Sequence, residues 1–213
     1  MSSAVRLEVR DRVAHLTIDR PEKRNALTAD MWAALHRYLD DVDGAGVAAV
    51  VLSGAGGSFC AGADLGELRA PGRADEMREL GERAVLRLRE VAVPTVAAID
   101  GPCFGAGCSL ALACDVRICS PASRFGIPAL RRGLVYEQAF VTQLVRIVGP
   151  GTAGLLLYGG ETWSAEEALD RGLVDRCSAD VPAAVEHLLA GVRDAPAAAV
   201  AGTAAALRAA ATD

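Results

Sequence analysis

The sequence predicts an α/β fold in which a mostly parallel sheet is layered with helices. Three observations carry this. Two apolar runs rich in β-branched residues, Val47–Leu52 and Val91–Ala98, suit buried strands. Each runs into a Gly-rich turn, Gly54–Asp64 and Gly101–Gly107. Helical patterns follow both turns, and repeated strand–turn–helix units imply parallel strands joined by crossover helices.

In chain order, Val5–Val9 and Val13–Ile18 alternate around Arg10-Asp11-Arg12 as a β-hairpin does. Pro21–Asn25 is a polar loop carrying Lys23 and Arg24. Thr28 and Asp30 offer caps for a helix through Met31, Leu35, Tyr38 and Leu39, which Asp43-Gly44 ends. After the Ala61–Leu65 turn comes a short helix, Gly66–Arg69. Pro71-Gly72 precedes an amphipathic helix, about Ala74–Val91, with Met77, Leu80, Val85 and Leu88 inward.

The second turn leads into a buried helix from Cys108. A strand (Val116–Ser120), an extended piece around Phe125 and helices beginning near Glu137, Gly151 and Ser164 come next. Pro182–Val192 and the alanine-rich Ala195–Ala211 close the chain as helices. The expected division is a core domain over residues 1–195 and a short helical tail over 196–213.

Composition narrows the function. The 213 residues carry a net charge of −5, with 52% apolar and 23% charged residues, which suits a globular protein and disfavours non-specific nucleic-acid binding. Six cysteines in apolar or Gly-rich surroundings and three scattered histidines show no paired metal spacing, so buried thiols are expected rather than disulfides or a metal site. No apolar leader or membrane-length run occurs, and a cytoplasmic protein is expected. A dinucleotide fingerprint fails because Leu110 and Phe59 stand where each turn would need its third glycine, and there is no Gly-Lys-Ser/Thr phosphate loop. What remains are helix-initial amides after glycine turns, which can hold negative charge.

Asp19–Leu27, Val50–Leu65 and Ile99–Asp115, followed by Arg124–Pro128, Leu144–Gly149, Ser164–Ala168 and Gly172–Val174, closely resemble the crotonase family of enoyl-CoA hydratases and isomerases. The match spans about residues 5–210 in the family's order and spacing. It implies a spiral of ββα turns. It also implies an oxyanion hole for a thioester oxygen, made by the N–H groups of Ala63 and Ala106. Ala106 stands where glycine is usual, which the amide tolerates if φ stays negative.

The same resemblance places coenzyme A against the backbone of Ala61, Asp64 and Leu65, with Lys23 and Arg24 near its phosphates; an Asp64 carboxylate also suits helix capping. Gly105 and Tyr136 join the expected substrate-binding set, Tyr136 either orienting its neighbour or packing. Coenzyme A enters as part of the substrate, with no separate cofactor, and the family implies a homotrimer or dimer of trimers.

Two departures bear on the reaction. The family's hydratases use two glutamates, at positions held here by Ser109 and Ala129. Neither side chain replaces a carboxylate as general base. Glu137 instead falls where several isomerases of the family carry a single catalytic glutamate and a dehalogenase branch its nucleophilic aspartate. Outside the resemblance, Glu137 reads as a helix-initial residue favoured by the dipole.

The leading expectation is an enoyl-CoA isomerase moving a double bond from β,γ to α,β. Hydratase-like chemistry, hydrolysis, dehalogenation or decarboxylation through the same enolate are alternatives. So is a catalytically silent acyl-CoA-binding subunit, suggested by the missing glutamates and by a chain ending at Asp213, where many members continue.

Overall fold

Alternating side chains set the two faces of the sheet in the computed structural model, which describes residues 4–43 and 45–210. Strands β1 (Val5–Arg10) and β2 (Val13–Ile18) pair antiparallel across a turn in which Asp11 and Arg12 adopt φ of 47° and 62°. Two left-handed residues make the tight turn whose twist matches a hairpin.

Helix α1 (Ala29–Asp43) leads to β3 (Ala49–Gly54), and α2 (Leu65–Leu68) with α3 (Arg73–Glu90) leads to β4 (Thr95–Ile99). Then come β5 (Pro102–Phe104), α4 (Ala106–Ala113), β6 (Val116–Cys119) and β7 (Arg124–Gly126). The chain continues with α5 (Gln138–Val148), α6 (Pro150–Leu157), β8 (Thr162–Ser164), α7 (Ala165–Asp170) and β9 (Arg176–Cys177). Helices α8 (Val181–Arg193) and α9 (Ala197–Ala210) end it.

The main sheet runs β1-β2-β3-β4-β6-β9, parallel from β2 onward; β5-β7-β8 form a second sheet. Val50 and Leu52 face the cluster that holds Trp32, Leu35, Ala84 and Leu88 of α1 and α3. Ala49 and Val51 face the opposite way, onto Val181, Val185 and Leu189 of α8. This period of two, with helices on both faces, is the expected layered α/β arrangement. Gly81 brings α3 close to α1, since a Cβ there would lie 3.3 Å from Cε2 of Trp32.

Several boundaries differ from the sequence expectation. Val91–Val93 do not enter β4, because the carbonyls of Val91 and Val93 accept hydrogen bonds from Arg208 of α9. Gly101-Pro102 does not simply break the chain, since Pro102 starts β5 before α4 begins at Ala106. The short strands β8 and β9 were not expected. Helix α1 ends at Asp43, and Gly44, Ala211 and the rest of the tail beyond 210 lie outside the described residues. Among the described residues, no helix is long and apolar enough to cross a membrane.

Candidate active site

The two glycine turns are stitched to each other by backbone. Cys60 N–H donates to Pro102 O at 3.0 Å, and Phe104 N–H donates to Cys60 O at 2.9 Å. Three glycines permit the approach. A Cβ on Gly107 would lie 2.5 Å from Cys60 O, and one on Gly62 would lie 3.2 Å from Phe104 O and 3.9 Å from Ala106 N. Gly105 turns the chain into α4 with φ 49°. Ala106 itself keeps a negative φ, the conformation in which alanine can stand for glycine at this position.

The loop before α1 holds the first turn from outside. Leu27 N–H donates to Gly62 O and Asp64 N–H to Leu27 O, both at 2.8 Å, so Ala63 is held from both sides. Ala63 N–H and Ala106 N–H donate to no protein acceptor among the described residues, and both residues line one cavity of about 360 Å³. Unpaired amides beside a cavity are ready-made donors for an oxygen that gains negative charge.

Gly105, Tyr136 and Glu137 line the same cavity, as do Ser109 and Ala129. Glu137 is the N-cap residue of α5, yet its side chain makes no capping hydrogen bond. Its carboxylate is half-buried, with the Arg78 guanidinium 4.0 Å away. Burial raises its pKa above the ordinary 4.5; Glu82 adds to the rise and Arg78 opposes it. A carboxylate in the same cavity as the two amides, uncommitted to the helix, is free to exchange a proton with a bound molecule.

Tyr136 is bound on two sides. Its hydroxyl donates to Gly105 O at 3.0 Å, which leaves Ser109 Oγ, 2.5 Å away, to donate to the phenol oxygen. The Tyr136 ring packs on Phe140, centroids 5.7 Å apart. Burial holds its hydroxyl protonated, far above the ordinary phenol pKa.

The remaining expected residues lie outside the cavity lining. Asp64 Oδ1 accepts from the N–H groups of Gly66 and Glu67, capping α2, while its Oδ2 meets Arg20 at 2.7 Å. That guanidinium contact is the main reason the Asp64 pKa is lowered. Ala61 N–H donates to Arg24 O at 2.9 Å. Lys23, Arg24 and Leu65 are exposed along the outer side of this turn.

Asn25 was not singled out by its sequence, although it clamps the assembly. Fully buried at φ 58°, it accepts from Arg20 N–H and donates to Ala55 O and Ser58 O, fixing the polar loop to the first glycine turn. A polar residue that tolerates left-handed backbone, placed directly after two exposed cations, was the available signal.

Residues 8–213 match the family model described as enoyl-CoA hydratase/isomerase. The chain belongs to the enoyl-CoA hydratase/isomerase family. A Mycobacterium tuberculosis protein named "Probable enoyl-CoA hydratase" is 39% identical over 98% of this chain and 82% of its own length. A short-chain-enoyl-CoA hydratase of Clostridium acetobutylicum is 36% identical over 80% of this chain and 67% of its own. The fold is similar to that of a Thermobifida fusca protein named as an enoyl-CoA hydratase and solved in complex with CoA. That likeness has a TM-score of 0.90 and 32% identity, covering 99% of this chain and 86% of that one. The layered sheet and its outer helices are therefore the crotonase architecture. Within this family of acyl-CoA enzymes, Ser109 and Ala129 bring a hydroxyl and a methyl group, not carboxylates, to the cavity.

Proposed function

We propose that the protein binds acyl-CoA thioesters and moves a double bond from the β,γ to the α,β position, with Glu137 as its single acid/base. The observation that carries this is the shared cavity, where the Glu137 carboxylate lies with the unpaired amides of Ala63 and Ala106. The thioester oxygen would lie between those amides. Lys23 and Arg24 would meet the phosphates of coenzyme A, and the backbone around Ala61, Asp64 and Leu65 its adenine and pantetheine.

Glu137 removes a proton from C2, and the electron pair of that C–H bond moves onto the thioester oxygen as an enolate. The two amides stabilise that charge, each typically worth about 2.7–4 kcal/mol in such a hole. The enolate collapses as Glu137 returns the same proton to C4, leaving the double bond between C2 and C3. No water, metal or second acid is consumed, so one carboxylate suffices. A raised pKa suits this two-way transfer near neutral pH. Addition of water needs its own base and acid, and neither Ser109 nor Ala129 supplies one.

The test is growth of the conjugated enoyl-thioester absorbance when the protein meets a β,γ-enoyl-CoA. Conversion supports the isomerase reading. Calorimetric binding without conversion by any chain length would replace it with an acyl-CoA-binding subunit.

We also propose that the protein self-associates, as a homotrimer or dimer of trimers. Val135, Leu155 and Tyr158 expose apolar surface on neighbouring segments, linked by the Arg131–Gly159 hydrogen bond.

A further inference from the structure

We infer that Tyr136 is a positioning residue for the oxyanion-binding peptide, acting through the carbonyl of Gly105. This rests on the reading of Ala106 N–H as a donor to the thioester oxygen.

The carbonyl of Gly105 and the N–H of Ala106 belong to one planar peptide group and point in opposite directions. Gly105 is the residue whose backbone is least constrained by its own chemistry, at φ 49° and ψ −113°. Something outside the turn must therefore fix the plane. Two donors do so. Ser109 N–H reaches Gly105 O at 3.1 Å as the first bond of α4, and the Tyr136 hydroxyl reaches it at 3.0 Å from the segment before α5.

The Tyr136 bond has two consequences. It pins the carbonyl between the Ser109 N–H and the Tyr136 hydroxyl, which fixes the direction of the Ala106 N–H at the opposite end of the same peptide. It also draws electron density toward the carbonyl oxygen, which makes the N–H of the same peptide a stronger donor. The chain of bonds runs from Ser109 Oγ to the Tyr136 hydroxyl, to Gly105 O and across the peptide to Ala106 N–H. Such chains strengthen each member, by about 10–30% per bond. The ring of Phe140 holds the phenol in place.

The test is the infrared carbonyl stretch of hexanoyl-CoA labelled with ¹³C at the thioester carbon, free and bound. In the parent the bound stretch moves to lower wavenumber, as a polarised carbonyl must. Tyr136→Phe keeps the ring, so hexanoyl-CoA still binds, but a clear part of the shift is lost. On a β,γ-enoyl-CoA, its kcat falls about 10-fold with KM little changed, short of the roughly 10²–10³ expected when a donor is removed outright. Replacing all three tyrosines with 3-fluorotyrosine, whose hydroxyl is a stronger donor, enlarges the shift without altering the fold. Full retention of the parent shift and kcat in Tyr136→Phe, or no enlargement with fluorotyrosine, would overturn the role of Tyr136 and leave the oxyanion reading standing. A parent spectrum with no shift would overturn both.

Discussion

Arg208 on the last helix grips Asp115 with two nitrogens, Nε to Oδ1 at 2.9 Å and Nη2 to Oδ2 at 2.6 Å. Asp115 also accepts from the Thr95 N–H at 2.8 Å and the Thr95 hydroxyl at 3.0 Å. The tail helix is thereby tied to the junction of α4 and β6 and to the entrance of β4, at the ends of β4 and α4 opposite the second glycine turn. Arg208→Ala leaves that carboxylate without its cation. It should cost about 1–3 kcal/mol, between an exposed and a buried pair. Hydrogen exchange over residues 197–210 should accelerate; unchanged protection there would show that α9 is held by its apolar face alone.

Gly107 and Gly151 make opposite predictions for the same change. Gly107→Ala drives a methyl group to 2.5 Å from Cys60 O and must push the two turns apart. Overpacking of this kind costs about 1–3 kcal/mol and should weaken acyl-CoA binding with it. Nothing lies within 4 Å of a Cβ at Gly151, so Gly151→Ala should be neutral or stabilising by up to about 1 kcal/mol. Thermal melts of both variants decide this.

Asp64 gives an acid-sensitive prediction. Its carboxylate is held below the ordinary 3.8, chiefly by Arg20 and also by the two capping amides. A depressed folded pKa contributes stability that is present above the unfolded value and lost as pH falls through the folded one. Asp64→Ala should cost about 0.5–2 kcal/mol at neutral pH, the range for a lost N-cap, and progressively less in acid. Equal losses at neutral and strongly acidic pH would contradict the assignment.

The Glu137 carboxyl should behave in the opposite sense. Burial raises its folded pKa above 4.5, so the folded state favours the neutral acid. Stability from this group is present below the unfolded value and lost as pH rises through the folded one. Glu137→Gln removes the half-buried charge, so its melting temperature relative to the parent should climb as the pH rises from below the ordinary 4.5 through the raised folded pKa. A difference that shrinks with rising pH would mean that the Arg78 contact outweighs burial.

Much of this was legible in the chain because periodicity and glycine carry direct physical signals. Val50 and Leu52 against Ala49 and Val51 announce a strand buried on both faces. Gly62, Gly105 and Gly107 mark where backbone must approach backbone. Short pieces such as Pro102–Phe104, Thr162–Ser164 and Arg176–Cys177 carry no period to detect, since two or three residues cannot alternate. Contacts between distant positions were equally silent: nothing local to Ser109 and Tyr136, or to Arg20 and Asp64, says that they meet. The first strand residues were overestimated at Val91 because their carbonyls serve Arg208, a partner far along the chain.

The central claim is tested most directly by the rate at which Glu137→Gln converts a saturating β,γ-enoyl-CoA, followed at the conjugated thioester absorbance beside the parent. Glutamine keeps the size and leaves Ala63, Ala106 and Tyr136 in place, but it cannot take the C2 proton. Conversion should fall by at least about 10²-fold while calorimetric affinity for hexanoyl-CoA stays within a few-fold of the parent. Conversion by Glu137→Gln at the parent rate would contradict the account.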